Sequence, residues 1–128
     1  MLWWRTLLVN VGINALTAIT GLRNGRLIEL EETSDELLKM AVREAVSIAH
    51  AKVNRSSSWQ ILLSMCGDVA RMTGKNRSSM LQDVTKKRKT EIEVINGAIV
   101  KEGVQLGIST PVNKVLYNLV RVREKPRR

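Results

Sequence analysis

The hydrophobic pattern begins with a long segment whose apolar residues almost surround a helical axis. From Leu2 to Thr20, leucine, isoleucine, valine and alanine occupy nearly every register, and Gly21 follows as a stop signal. A helix that is apolar on all sides is typical of the core. Asn24 and Gly25 come next and predict a turn, because an Asn-Gly pair readily adopts turn conformations. The sequence therefore predicts a buried first helix.

Five further helical segments follow, with apolar residues at intervals of three and four. They run from about Thr33 to Val53, Ser57 to Thr73, Ser79 to Lys87, Glu91 to Leu106, and from Thr110 to the basic end of the chain. Capping-box spacing opens the first two, at Thr33 and Ser57. Thr110 is predicted to cap the last one, with Pro111 at the favoured first position. No segment alternates with the period of a strand, so the fold class is all-α, a compact bundle of about six helices.

Two glycines lie inside the helix predicted for residues 91–106. Gly97 and Gly103 each cost roughly 1 kcal/mol relative to alanine in a helix interior. Their presence indicates close packing against another helix, either within the chain or at a subunit interface.

Composition favours one domain and narrows its chemistry. A chain of 128 residues suits a single domain, for which we expect residues 1–124, with a basic tail at 125–128. One cysteine excludes an internal disulfide, and one histidine leaves no zinc-site spacing, which together favour a reducing, cytoplasmic setting without a metal. Asn10 and Asn14 interrupt the first apolar segment and argue against a membrane span.

The net charge of +9 indicates anionic partners. Nucleic acid is the weaker candidate, because the basic residues are not interleaved with aromatics and no helix-turn-helix signature is clear. The charge is also compatible with an anionic lipid or with a ligand that carries a carboxylate or a phosphate.

A row of polar residues crosses the otherwise apolar first helix. Thr6, Asn10 and Asn14 stand at i, i+4 and i+8, which keeps them on one side of the helix. Amide side chains offer both donors and an acceptor and could bind the hydroxyls of a ligand. The spacing is equally compatible with a buried hydrogen-bond network or with the exposed side of the helix.

Three more positions are candidates. Asn24 is compatible with an ordinary turn residue. Ser79, like its neighbour Ser78, either caps the next helix or helps to bind a carboxylate at the helix start. Glu91 follows the basic run 86–89 and either orients a ligand or belongs to the acidic first turn of a helix.

Taken in order, these motifs resemble the C-terminal domain of ketopantoate reductase. The matching stretches are LLVNVGINALTAITGLRNG (7–25), NRSSMLQD (76–83), KTEIEVINGAIVKEG (89–103) and GISTPVN (107–113). Together they span nearly the whole chain and are specific, whereas any one alone is weak. The resemblance implies a helical bundle similar to the C-terminal-domain-like fold of 6-phosphogluconate dehydrogenase.

The resemblance also implies a function. The family reduces 2-dehydropantoate (ketopantoate) to pantoate with NADPH, in the route to pantothenate and coenzyme A. An N-terminal Rossmann domain holds the cofactor, and the helical domain closes over the substrate and often builds a dimer. By this resemblance Asn10, Asn14 and Asn24 would bind substrate hydroxyls and Ser79 the substrate carboxylate. Glu91 would lie near the reacting oxygen in a supporting catalytic role.

Two departures from the family pattern bear on activity. No G-x-G-x-x-G follows a strand, and no βαβ unit occurs, so we expect no nucleotide-binding domain here and no cofactor on this chain alone. Thr6 stands at the family's general-acid lysine, four residues before Asn10, and an unactivated hydroxyl is no proton donor at neutral pH. The neighbouring Arg5 points about 100° away around the helix, and a guanidinium is a poor proton donor.

The sequence therefore predicts a substrate-binding and dimerisation domain that is inactive alone. Its expected partners are ketopantoate or pantoate, further copies of itself as a homodimer or larger assembly, and a separate nucleotide-binding domain. The alternative is a non-enzymatic helical self-association module derived from the same domain.

Overall fold

A computed structural model of the chain describes residues 2–52 and 59–125, with side chains described from residue 6 to 52 and from 63 to 125. These ranges form seven α-helices and no strand. The helices are α1 (Leu2–Thr20), α2 (Asn24–Glu29), α3 (Ser34–Lys52), α4 (Trp59–Met72), α5 (Ser79–Thr85), α6 (Asn96–Leu106) and α7 (Pro111–Glu124), with a 3-10 helix (Ile92–Val94) before α6. The all-α prediction is confirmed. The predicted cap at Ser57 and the tail from 126 onward lie outside the described residues.

Helix α1 is the central helix of the bundle and packs against α2, α3, α4, α5 and α7. Every residue from 11 to 18 is buried, which confirms the prediction of a buried first helix. Gly12 allows α3 to come close, since a Cβ there would lie 2.9 Å from Val42 Cγ2. Polar side chains on α1 are therefore held by a rigid, fully packed element.

A short separate helix, α2, is found where the sequence predicted a turn. Asn24 and Gly25 begin α2, because their N–H groups donate to Asn76 O (3.0 Å) and Gly74 O (3.1 Å) beyond α4. A Cβ on Gly25 would lie 2.8 Å from Gly74 Cα, so the two backbones can meet because residue 25 is a glycine. These tertiary hydrogen bonds satisfy the first donors of α2, and local sequence does not reveal them.

Helix α5 ends at Thr85, two residues before its predicted end. Lys87 has a φ of +59°, in the left-handed region, and stops the helix. The N–H of Arg88 then donates to Asp83 O (2.7 Å), as in a helix end that normally uses glycine.

The helix predicted for residues 91–106 is divided at Ile95, where φ is −108° and ψ is −93°. Tyr117 of α7 packs at this break, so tightly that a Cβ on Gly97 would lie 3.0 Å from its Cε1. The tyrosine hydroxyl also donates to Glu93 (2.7 Å) and holds the 3-10 segment against α7. At Gly103 a Cβ would lie 2.7 Å from Ile108 O. The predicted packing against another helix is confirmed at Gly97, whereas Gly103 packs against the segment between α6 and α7. Both contacts lie within the chain.

The start of α7 is capped by a different group from the one predicted. Thr110 is the N-cap residue and Pro111 follows it, but the Thr110 side chain makes no capping hydrogen bond. The Glu44 carboxylate of α3 instead accepts the N–H groups of Val112 and Asn113, each at 2.9 Å. A carboxylate satisfies two otherwise unpaired donors and suits the positive end of the helix dipole better than a hydroxyl does.

A buried polar cluster, formed by Glu44, Asn96 and Asn113, joins α3, α6 and α7 to α1. Asn113 Nδ2 donates to Ala41 O (3.0 Å) and Glu44 Oε1 (2.8 Å), and Asn113 Oδ1 accepts from Asn96 Nδ2 (2.9 Å). Asn96 Nδ2 also lies 3.3 Å from Val11 O. Both asparagines are fully buried. Asn96 Oδ1 has no partner among the described residues, but the other side-chain polar atoms of the two asparagines are paired inside the chain, and we call this the closed cluster.

Candidate functional site

The polar row on α1 runs from the surface towards the interior. Thr6 is exposed, Asn10 is half-buried, and Asn14 is 8% exposed. Each step of four residues advances about 6 Å along the helix. The row therefore leads from an exposed hydroxyl to a buried amide. We use the name open row for the two asparagines of this row, Asn10 and Asn14, together with Asn24 at the start of α2.

The inner end of the row meets the start of α5. Thr17, one turn beyond Asn14, is fully buried, and its Oγ1 lies 2.6 Å from Ser78 Oγ. Ser78 is the N-cap of α5 and accepts the N–H of Leu81 at 3.0 Å. Of the two serines predicted as possible caps, Ser78 is therefore the cap. Ser79, the first helical residue, is exposed beside it.

Asn24 approaches the same end of α5 from α2. Its backbone N–H donates to Asn76 O (3.0 Å), and its Nδ2 donates to Thr73 Oγ1 (2.9 Å). Its Oδ1 is buried and has no hydrogen-bond partner among the residues that the structure describes. An unpaired buried amide oxygen costs about 1–3 kcal/mol. It is therefore an acceptor whose pairing with a ligand hydroxyl would be favourable.

Arg23 brings a cation to the segment before α5, since its Nη1 donates to Lys75 O at 2.6 Å. The guanidinium of Arg77 is directed to the other end of α5, where Nη2 donates to Thr85 Oγ1 at 3.2 Å. Both arginines are exposed. The positive charge of Arg23 favours an anion near the start of α5.

Glu91 is placed by different contacts. It is exposed at the start of the 3-10 helix, where its neighbour Thr90 donates both its N–H (2.5 Å) and its hydroxyl (2.7 Å) to Glu124 Oε2. Within the described ranges, no hydrogen bond joins Glu91 to the open row or to Ser79. The contacts thus link the elements that carry Asn14, Asn24 and Ser79, and none of the hydrogen bonds described above links Glu91 to them.

Two open grooves, of about 650 Å³ and 730 Å³, lie beside α2 and α4. Gly25, Gly74 and Asn76 line the larger one, next to the backbone contact made by Asn24. Neither groove is lined by Asn10, Asn14 or Ser79, so these three do not share a groove with the α2–α4 surface.

Several kinds of chemistry find no support in the described part of the chain. Residues 2–52 and 59–125 contain no group of three or more His, Cys, Asp or Glu side chains able to hold a metal ion. They contain no strand, so nothing there fits a Rossmann-type dinucleotide site. Burial raises the pKa of the Cys66 thiol to about 11, which keeps this group protonated and poorly nucleophilic at neutral pH.

No helix in the described ranges has the length and apolar character that crossing a membrane requires.

The fold and the open row define an all-α domain whose central helix carries amide side chains that lead towards the start of α5. A family model described as "Ketopantoate reductase PanE/ApbA C terminal" matches residues 2–124. The chain therefore belongs to the ketopantoate reductase family, as its C-terminal domain. The resemblance seen in the sequence is confirmed.

Curated and solved relatives agree with this assignment. The 2-dehydropantoate 2-reductase of Pyrobaculum aerophilum is 42% identical over 124 residues, covering 94% of this chain and 42% of that protein. The crystal structure of a ketopantoate reductase from Ralstonia eutropha JMP134 gives a TM-score of 0.83 at 33% identity, covering 94% of this chain and 40% of that one. D-mandelate dehydrogenase with NADH and anilino(oxo)acetate gives 0.86 at 29% identity, with 94% and 40% covered. The chain spans about two fifths of the length of these relatives.

Proposed function

We propose that this chain is the substrate-binding part of a 2-dehydropantoate 2-reductase and holds ketopantoate or pantoate at the open row. The observation that carries the proposal is the meeting of α1 and α5, where Thr17 contacts the residue next to Ser79 at the inner end of the row. Family membership over residues 2–124 supplies the substrate class.

Each polar group has a role that suits its environment. Asn10 and Asn14 bind substrate hydroxyls from a rigid helix, and the unpaired Oδ1 of Asn24 accepts a further hydroxyl proton. Ser79 donates to the substrate carboxylate at the start of α5, where Arg23 contributes positive charge. The relative solved with anilino(oxo)acetate supports a 2-oxo acid as the ligand class for this fold.

Catalysis by this chain alone is not part of the proposal. Reduction of a keto carbon needs a hydride and a proton, and a separate nucleotide-binding domain carrying NADPH would have to supply the hydride. Thr6 stands where the family has its general-acid lysine, and its exposed, unactivated hydroxyl is not a proton donor matched to neutral pH. Glu91 keeps a supporting role only if a partner domain closes over the site.

Self-association is the second candidate function, and one surface favours it. Helix α7 exposes Val115 (56%), Leu119 (44%) and Val122 (67%), which form a continuous apolar stripe at i, i+4 and i+7. Apolar stripes of this kind are typical of interaction surfaces. A non-enzymatic module would retain this surface and lose ligand binding.

Calorimetric titration with pantoate and ketopantoate, with and without NADPH, tests the proposal. We expect binding of either acid without NADPH, and a loss of at least roughly tenfold in affinity for Asn14→Ala, because one ligand hydroxyl loses its partner. Asn118→Ala is the matched control, since Asn118 is an exposed asparagine on α7 far from the row in sequence.

Circular dichroism and light scattering must show that each variant is folded with the same oligomeric state. Absence of binding at millimolar acid in a folded sample would overturn the substrate-binding proposal and favour the self-association module.

A further inference from the structure

We propose that Thr17 is a positioning residue, which through Ser78 fixes Ser79 relative to Asn10 and Asn14 so that one ligand meets both its carboxylate and its hydroxyl contacts. This inference rests on the proposed function, and the family resemblance assigns no role to either Thr17 or Ser78.

The hydrogen bonds around Thr17 join α1 to the start of α5. Thr17 Oγ1 lies 2.9 Å from Ile13 O and 3.1 Å from Asn14 O, within α1. It also lies 2.6 Å from Ser78 Oγ, in a pair in which either hydroxyl can donate, and Ser78 Oγ accepts the N–H of Leu81. The two hydroxyls therefore connect the turn of α1 that carries Asn14 to the first turn of α5.

The contact is dry. Thr17 is fully buried and Ser78 is 6% exposed. If one hydroxyl is removed, water cannot readily replace it, and the remaining oxygen keeps an unsatisfied group. The geometry at the start of α5 therefore depends on Thr17 more strongly than it would at the surface.

The two residues are adjacent to the groups they would position. Thr17 is one turn after Asn14 on the same helix, and Ser78 directly precedes Ser79. A second tie, from Asn24 N–H to Asn76 O (3.0 Å), also holds this region. Loss of the Thr17 hydroxyl is therefore expected to shift the start of α5 and not to unfold it.

Thr17→Val tests the inference, because it keeps the shape and removes the hydroxyl. Thr20→Val is the matched control: Thr20 makes the same kind of bond to a carbonyl four residues earlier (Leu16 O, 2.7 Å) on the same helix and is exposed. Thr17→Ser keeps the hydroxyl and should therefore behave like the wild-type chain. The ligands are pantoate and its primary amide, which has the same hydroxyls and no negative charge.

We expect the wild-type chain to bind pantoate more tightly than the amide. Thr17→Val should lower this preference about tenfold while affinity for the amide stays within about twofold. The preference should be retained in Thr20→Val and Thr17→Ser. Amide hydrogen exchange at Leu81 should become faster in Thr17→Val alone. The N–H of Leu81 donates to Ser78 Oγ, and in this variant Thr17 no longer holds that oxygen in place.

The other outcomes separate the two proposals. If wild type binds pantoate and Thr17→Val keeps the full preference, the positioning role is overturned and the proposed function stands. If Thr17→Val weakens both ligands equally, Thr17 is only structural, and the inference also fails. If folded wild type binds neither ligand, the proposed function is overturned, and this inference with it.

Discussion

The molecule contains two sets of asparagines whose chemistry is the same and whose surroundings differ. In the closed cluster, Asn96 and Asn113 are fully buried and bonded to Glu44, Ala41 O and Val11 O. In the open row, the exposure of the side chains rises from Asn14 to Asn10. Asn24 keeps an unpaired Oδ1, and so does Asn96 of the closed cluster, so the two sets differ in exposure and in the number of partners that their amides have. The comparison teaches that an amide becomes structural or available according to the groups that tertiary packing places opposite it.

The largest expected effect comes from breaking the closed cluster. Asn113→Ala removes hydrogen bonds to Ala41 O, the Glu44 carboxylate and Asn96 Nδ2 at a buried site. We expect the free energy of unfolding to fall by about 3 kcal/mol, because buried groups including a carboxylate lose partners. Urea denaturation followed by circular dichroism measures this. A loss below about 1 kcal/mol would show that the closed cluster contributes little to the stability of the fold.

The matching change in the open row should affect binding and not stability. Asn10→Ala truncates a half-buried side chain, so the free energy of unfolding should stay within about 0.5 kcal/mol of wild type. Pantoate affinity should fall about tenfold in calorimetry, through the loss of one ligand hydrogen bond. Equal stability losses for Asn10→Ala and Asn113→Ala would remove the distinction between the two sets.

The smallest expected effect concerns the residues that end α5 and α6. Helix α6 ends on Gly107 with φ +69°, whereas the turn after α5 places Lys87 at φ +59°. Lys87→Gly should raise the free energy of unfolding by about 1 kcal/mol, because only the lysine is strained in this region. Lys86→Gly is the control: Lys86 has φ −88°, and glycine there should not stabilise. Thermal denaturation of both variants decides, and an increase for Lys86→Gly alone would contradict the strain argument.

The sequence predicted the long helices well, because their boundaries depend on local signals. Apolar periodicity gave α1, α3 and α7, and Ser78 caps α5 as one of two predicted alternatives. Helix α2 was missed because its first donors are satisfied by Gly74 and Asn76, far along the chain. The cap of α7 was wrongly assigned for the same reason, since Glu44 lies 68 residues before Val112.

The candidate site was predictable only in part. Periodicity placed Thr6, Asn10 and Asn14 on one side of α1, but it could not separate a ligand row from a buried network. The closed cluster was missed as a cluster, although both of its asparagines lie within motifs quoted for the family resemblance. No local signal pairs Asn96 with Asn113, because their contact depends on the break at Ile95 and on the approach of α7 to α3.

The Glu44 cap also bears on the order in which the chain folds. The first turn of α7 takes two of its hydrogen bonds from a residue 68 and 69 positions earlier, so it is completed only when α3 has closed that loop. Helices of this length are marginal in isolation, and contacts between distant residues are slow to form. We therefore expect α7 to dock late in folding, after α3 has brought Glu44 into position.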